Sequence, residues 1–164
     1  FSFPVQQTAI NKGTLIYWAK GFTATGVVGK DVVKLLNKAL RNRQVDNVRF
    51  VSIDNDTTGT QVARAYLDQD CDMGVILGTG TNICARLPVG LITKGFNGTP
   101  YYADQMIVNF ESGNFNKALP RTIYDEALDN ATVNNGKQWE EKMVSGKYLG
   151  EIARLVLKDL TEKG

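Results

Sequence analysis

The residues with the most chemical potential are Asp54-Asn55-Asp56, directly after the apolar stretch Val48 to Ile53. Carboxylates just past the C-terminal end of such a stretch lie where open α/β sheets place their ligand crevice. There they could accept a proton or grip hydroxyl groups. Asp and Asn also make ordinary turns and helix caps, and the local residues leave both readings open. A second candidate is Gly78-Thr79-Gly80-Thr81-Asn82. Its glycines let backbone N–H groups approach phosphate oxygens, and its threonine hydroxyls add uncharged donors, although a plain Gly-rich hairpin tip has the same composition. Lys20, Glu111 and Glu141 are single charges that could act on a polar substrate or face solvent. Tyr17, Trp18 and Phe22, around Lys20, fit either a core or a sugar-stacking wall.

Several chemistries are excluded. The chain has no histidine, which removes the Ser-His-Asp triad, the Cys-His pair and HExxH zinc sites. Acid–base work must use carboxylate, lysine, tyrosine or thiol. Ile83 stands where a dinucleotide fingerprint needs its third Gly. Around Gly29-Lys30, Ala24 and Asp31 replace the first Gly and the Ser/Thr of a P-loop. An EF-hand starting at Asp54 would need Glu where Ala65 stands.

These residues must be positioned by an alternation of strands and helices. Phe1 to Val5 and Gly13 to Trp18 look extended, with the polar stretch Gln6 to Lys12 between them. Over Gly29 to Arg43 the apolar residues recur at three and four, which predicts an amphipathic helix. Val48 to Ile53 predicts a strand, followed by the acidic turn and a helix capped by Thr57 or Thr58. Met73 to Leu77 and Ile83 to Leu87 read as a hairpin around the Gly-rich tip, and Met106 to Phe110 as a further strand. Helices are expected over Tyr124 to Asn130, Lys137 to Val144 and a longer stretch after Ser145-Gly146. The class is α/β.

Composition narrows the partners. The 164 residues carry 19 Lys and Arg against 17 Asp and Glu, a net charge of +2, too little for nucleic-acid binding argued from charge. No apolar run is long enough to span a bilayer. Cys71 and Cys84 cannot build a disulfide framework, and no signal peptide is evident, so a cytoplasmic home is expected. The sequons at Asn55, Asn97 and Asn130 are short enough to occur by chance. Starting at Phe1 in strand-like sequence without Met, the chain reads as a section of something longer.

The order of the motifs resembles the hexokinase and glucokinase family. Ser2-Phe3-Pro4-Val5-x-Gln7 and Gly13-Thr14-Leu15-Ile16-x-Trp18-x-Lys20-Gly21-Phe22 resemble that family's first sugar-binding segment. Asn55-Asp56-Thr57-x-Gly59-Thr60 is similar to the segment holding its catalytic aspartate, and Gly78 to Asn82 to its second phosphate-and-sugar loop. Asn109-x-Glu111-x-Gly113, Asn134-x-Gly136-x-Gln138 and Glu141 through Glu151 resemble the rest of the sugar site.

The resemblance implies an α/β, actin-like sugar-kinase (ribonuclease-H-like) fold, incomplete here, with two lobes around a sugar cleft. Residues 1–54 would belong to the small lobe and 55–164 to the large lobe. The implied reaction moves the γ-phosphate of ATP, with Mg2+, to the 6-hydroxyl of a hexose such as glucose, fructose or mannose. Asp56 would be the base and Lys20 the nearby positive charge. Ser2, Asn55, Asn82, Glu111 and Glu141 would hold the sugar, and Gly78, Thr79 and Gly80 the phosphate. No metal-ligand set is implied within the chain.

Two residues depart from the family pattern: Ala19 stands for a sugar-facing Thr, and Asn135 for a Pro, which is expected to loosen its loop. The family's first phosphate loop and its adenosine section are missing, so residues 1–164 alone are expected to be inactive. The alternatives are a catalytically silent hexose-binding sensor and a haloacid-dehalogenase-type phosphatase using Asp54-x-Asp56-x-Thr58, which lacks the late acidic pair that family needs.

Overall fold

The computed structural model describes residues 1–19, 22–93 and 103–163. Lys20 and the Asn97 sequon lie outside the described residues. The chain forms two compact units, Phe1–Gly59 and Thr60–Gly164.

In the first unit, β1 (Val5–Ala9) and β2 (Lys12–Leu15) form an antiparallel hairpin with Val5 opposite Leu15 and an irregularity between Gln7 and Ala9. The stretch expected to be a polar connection is therefore mostly strand. The strand forms despite its polarity because its backbone pairs with β2 while the side chains from Gln6 to Ala9 stay exposed to water. Leu15 is fully buried and forms the unit's core with Val32 and Val33.

Those two valines open α1 (Val32–Asn42), whose N-cap Asp31 accepts the Lys34 N–H at 3.0 Å. The helix ends as Gln44 turns left-handed, at φ 57°, and the Val45 N–H returns to the Leu40 carbonyl at 3.0 Å.

Val48 to Ile53 is not a strand. It is held by the Ile53 N–H on the Ile10 carbonyl at 2.8 Å and by the Asn37 side chain, whose Oδ1 accepts the Phe50 N–H at 3.0 Å. Composition marked a strand, but a ladder needs a neighbour that takes its alternate backbone groups, and this stretch has no such ladder among the described residues.

In the second unit, β3 (Met73–Leu77), β4 (Thr81–Pro88) and β5 (Gln105–Asn109) form an antiparallel meander in the order β3-β4-β5. Cys84 is opposite Gly74 on one side and Asn109 on the other. The preceding helix, α2 (Asp56–Ala65), runs across the boundary between the units. Its Gln61 is buried and donates from Nε2 to the Cys71 carbonyl at 3.3 Å.

Three helices follow the sheet: α3 (Ile123–Asn130), α4 (Trp139–Val144) and α5 (Gly146–Lys163). A capping box starts α3, with Thr122 and Asp125 exchanging side-chain and backbone bonds. Leu128, Trp139 and Tyr148 are the buried apolar anchors of this helical layer. α4 starts two residues later than expected because Gln138, at φ 56°, is left-handed and cannot be a helical residue.

Candidate functional site

Three of the expected sugar-binding residues meet in the second unit. Asn82, the second residue of β4, donates from Nδ2 to Asn109 Oδ1 at 2.6 Å, and Asn109 Nδ2 donates onward to Glu111 Oε1 at 2.7 Å. Register explains the meeting, since Asn109 ends β5 beside Cys84 of β4 and projects toward the same end of the sheet. The Ile83 and Ser112 N–H groups donate to Asn82 Oδ1 at 2.8 and 3.2 Å, which fixes the amide's orientation. Glu111 itself is left-handed, at φ 52°. A non-glycine residue there costs about 1–3 kcal/mol, and such strain gathers where a side chain must be aimed.

The second branch comes from α4. Glu141 is 8% exposed; its Oε2 accepts the Thr81 N–H at 3.2 Å, and its Oε1 accepts Gln138 Nε2–H at 3.2 Å. Gln138 Oε1 in turn accepts from Asn134 Nδ2 at 2.7 Å. Gly113 joins the branches: a Cβ added there would meet the Thr81 carbonyl at 3.0 Å and Glu141 Cβ at 3.1 Å, so only glycine lets the strand, the turn and α4 approach this closely. Asn82, Glu111 and Glu141 therefore belong to one polar cluster with spare capacity. Asn109 takes only one of Glu111's oxygens, and each carboxylate oxygen of Glu141 has a second lone-pair site. Beside the cluster, the buried Ser112 hydroxyl has no hydrogen-bond partner among the described residues. Next to Glu141, burial and then the Glu141 charge push the Glu140 carboxyl up from its ordinary value.

The Gly78–Gly80 tip is anchored to α5. The Gly78 carbonyl accepts the Gly146 N–H at 2.8 Å and the Thr79 carbonyl the Lys147 N–H at 3.2 Å, while Thr79 stays exposed. Within the tip the Gly78 N–H donates to the Gly80 carbonyl at 2.9 Å. Among the described residues no three His, Cys, Asp or Glu side chains are placed to hold a metal ion.

In the first unit, Asn55 caps α2 rather than Thr57 or Thr58. Its Oδ1 accepts the Thr57 N–H at 2.8 Å, and Asp56 becomes the first helical residue, its Oδ1 taking the same N–H at 3.0 Å. An amide oxygen accepts from the residue two ahead as readily as a hydroxyl does, so the cap falls two residues before Thr57. Thr58 instead hydrogen-bonds to Asp54 and to the Asn55 carbonyl. Asp56 is exposed at the N-terminal end of α2. Ser2 lies next to Phe1, whose nitrogen donates to the Asp54 carbonyl at 2.7 Å, so it borders this loop. A cavity of about 860 Å³ beside α1, lined by residues such as Lys34, Leu35, Arg41 and Val48, contains none of these side chains.

Sequence reasoning quoted Asn109, Asn134 and Gln138 within motifs but gave them no role; their polar identity next to Glu111 and Glu141 was the available signal. The buried pair Lys142–Asp129 gave none, because a lysine on a short helix reads as a surface residue. Asn135 does not leave its loop unsecured: its Nδ2 donates to Asn130 Oδ1 at 2.9 Å.

The chain is similar to known proteins along its whole length. Two family models, both described as hexokinase, match residues 1–66 and 72–164. Hexokinase-2 of Solanum tuberosum is 45% identical over 164 residues, covering 99% of this chain and 33% of its own. Hexokinase-1 of Homo sapiens is 45% identical over 170 residues, covering all of this chain and 18% of its own. The chain thus spans a third or less of the length of these relatives. Among solved structures, a hexokinase from Schistosoma mansoni complexed with glucose superimposes with a TM-score of 0.87 at 38% identity, covering 99% of this chain and 37% of that one. A second hexokinase crystal structure gives 0.74 at 44% identity, over 95% of this chain and 34% of that one. The mixed α/β units are accordingly part of the actin-like sugar-kinase fold that the motifs implied, and the chain belongs to the hexokinase family.

Proposed function

We propose that this chain is the sugar-binding section of an ATP-dependent hexokinase that phosphorylates the 6-hydroxyl of a hexose such as glucose. The observation that carries this reading is the polar cluster Asn82–Asn109–Glu111 joined to Glu141–Gln138–Asn134. A hexose presents adjacent hydroxyls that each donate and accept, and oriented amides and carboxylates answer both needs. A sugar lacking one hydroxyl would leave a buried partner unsatisfied, at a cost of about 1–3 kcal/mol.

Asn55 and Ser2 would add contacts to the sugar. Asp56 would accept the proton of the attacking hydroxyl as the oxygen bonds to phosphorus. MgATP supplies the phosphoryl group and leaves as ADP. The transition state is loose, so the contribution of Asp56 is largely positional, and general-base action of this kind is worth roughly 10² to 10⁴ in rate, about 3 to 5 kcal/mol. The exposed Thr79 hydroxyl and the Gly78–Gly80 backbone would face phosphate, with Lys20 adding positive charge. We place the reaction in the cytoplasm.

The test uses the complete natural protein in a coupled assay of ADP release. With Asp56→Ala, glucose-dependent turnover should fall by at least about 10²-fold while calorimetry still detects glucose binding. Turnover close to wild type would dispose of the base assignment.

A further inference from the structure

Behind Glu141 lies a charged pair that no sugar could touch. Lys142 is 1% exposed and Asp129 3%, and Lys142 Nζ stands 2.5 Å from Asp129 Oδ1. The pair is not isolated. Lys142 Nζ also donates to the Asn134 carbonyl at 2.9 Å, and the Gly136 N–H reaches both Asp129 oxygens at 3.1 and 2.8 Å. The ammonium lies 5.9 Å from the centre of the Trp139 ring, and the Arg121 guanidinium stands over the same ring at 4.4 Å.

These bonds close on the loop between α3 and α4. That loop carries Asn134 and Gln138, the two residues that orient Glu141 through bonds of 2.7 and 3.2 Å. Gln138 is left-handed and Gly136 is at φ 75°, so the loop is held in a conformation that its residues do not favour by themselves. Two buried charges are a costly way to tie a loop, since apolar residues of the same volume usually stabilise as well or better. The arrangement makes physical sense if it fixes geometry.

We propose that Lys142 and Asp129 are positioning residues for hexose binding: through the Asn134 carbonyl and the Gly136 N–H they set the loop that aims Gln138, and thereby the Glu141 carboxylate. The inference rests on the hexose reading of the Glu141 cluster. Glu141 makes its contacts to bound sugar in ground and transition states alike, so its misplacement should weaken substrate binding far more than it slows the chemical step.

The experiment measures glucose kinetics and thermal unfolding of the complete natural protein. Lys142→Met alone would strand a buried carboxylate and could prevent folding, so the principal variant is the neutral pair Lys142→Met with Asp129→Asn. It should unfold near the wild-type temperature, yet its KM for glucose should rise by roughly 10- to 100-fold, as displacements of about 1 Å commonly cause, with kcat within about threefold. Gly136→Pro, in the exposed part of the loop, both removes the N–H that Asp129 holds and excludes the φ of 75° found there, so it displaces the loop without entering the core and should raise KM in the same direction. A purely structural pair would lower the unfolding temperature and leave KM unchanged. A wild-type KM in Gly136→Pro and in the folded double variant overturns the positioning role; if the double variant does not fold, a wild-type KM in Gly136→Pro does so alone. If the unaltered protein neither binds nor phosphorylates glucose, the hexose reading falls and takes this inference with it, an outcome distinct from an active enzyme with indifferent variants.

Discussion

Gly113→Ala is the smallest perturbation that reaches the centre of the cluster. The added methyl would stand 3.0 Å from the Thr81 carbonyl oxygen, 3.1 Å from Glu141 Cβ and 3.3 Å from Glu141 Oε2, where ordinary contact begins at 3.4 Å. Two of these neighbours are a strand carbonyl and the root of a helical side chain, so neither can swing aside as a long side chain would. The turn must move by several tenths of an ångström, or α4 must retreat and lengthen the 3.2 Å bond from the Thr81 N–H to Glu141. Overpacking of this kind costs about 1–3 kcal/mol, against which the reduced unfolded-state freedom of alanine returns about 0.4–1 kcal/mol.

A net loss of roughly 1–2 kcal/mol is expected, read as a lower urea midpoint at unchanged slope. Glucose affinity should fall by about tenfold, the equivalent of 1.4 kcal/mol. Gly90→Ala, whose methyl would meet nothing within 4 Å, is the control and should be neutral or slightly stabilising. Wild-type midpoint and affinity in Gly113→Ala would show that the turn does not pack on Glu141, and the argument from close approach would fail.

Other consequences can be checked in the same protein. Asn109→Ala removes the bridge between Asn82 and Glu111, and calorimetry should show glucose binding weakened by roughly 5- to 150-fold, the effect of about 1–3 kcal/mol for stranded polar groups. Burial, and secondly Glu141, hold the Glu140 carboxyl above its ordinary value of 4.5. A raised folded-state value favours the protonated form, so the stability it gives is complete below pH 4.5 and is lost as pH rises through the raised value. Glu140→Gln should therefore raise the urea midpoint at about pH 8, with the gain shrinking toward about pH 4; a gain independent of pH would contradict this assignment.

Much of the scaffold was legible because it rests on local rules. The period-three-and-four pattern marked α1, the stretch Tyr124 to Asn130 marked α3, and the glycines at 78 and 80 marked the β3–β4 turn, whereas the caps Asp31 and Thr122 were not singled out. Val48 to Ile53 misled because β-branched composition signals readiness to pair, whereas a strand exists only where a neighbour completes the ladder. In the site, Asn82, Glu111 and Glu141 were legible through motif order. Their connection was not, since it depends on the β4–β5 register that sets Asn109 between two of them. The left-handed residues Glu111 and Gln138 carried no glycine or asparagine to mark the turns they make. Lys142 and Asp129 were hidden for a related reason: each is polar, and only the tertiary fold buries them face to face.

The most direct measurement is a crystal structure of the complete protein with glucose bound. The account predicts sugar hydroxyl oxygens within hydrogen-bond distance of the Glu111 and Glu141 carboxylates and of the Asn82 amide, with the Asn109 bridge intact. Glucose seated away from these three side chains would contradict it.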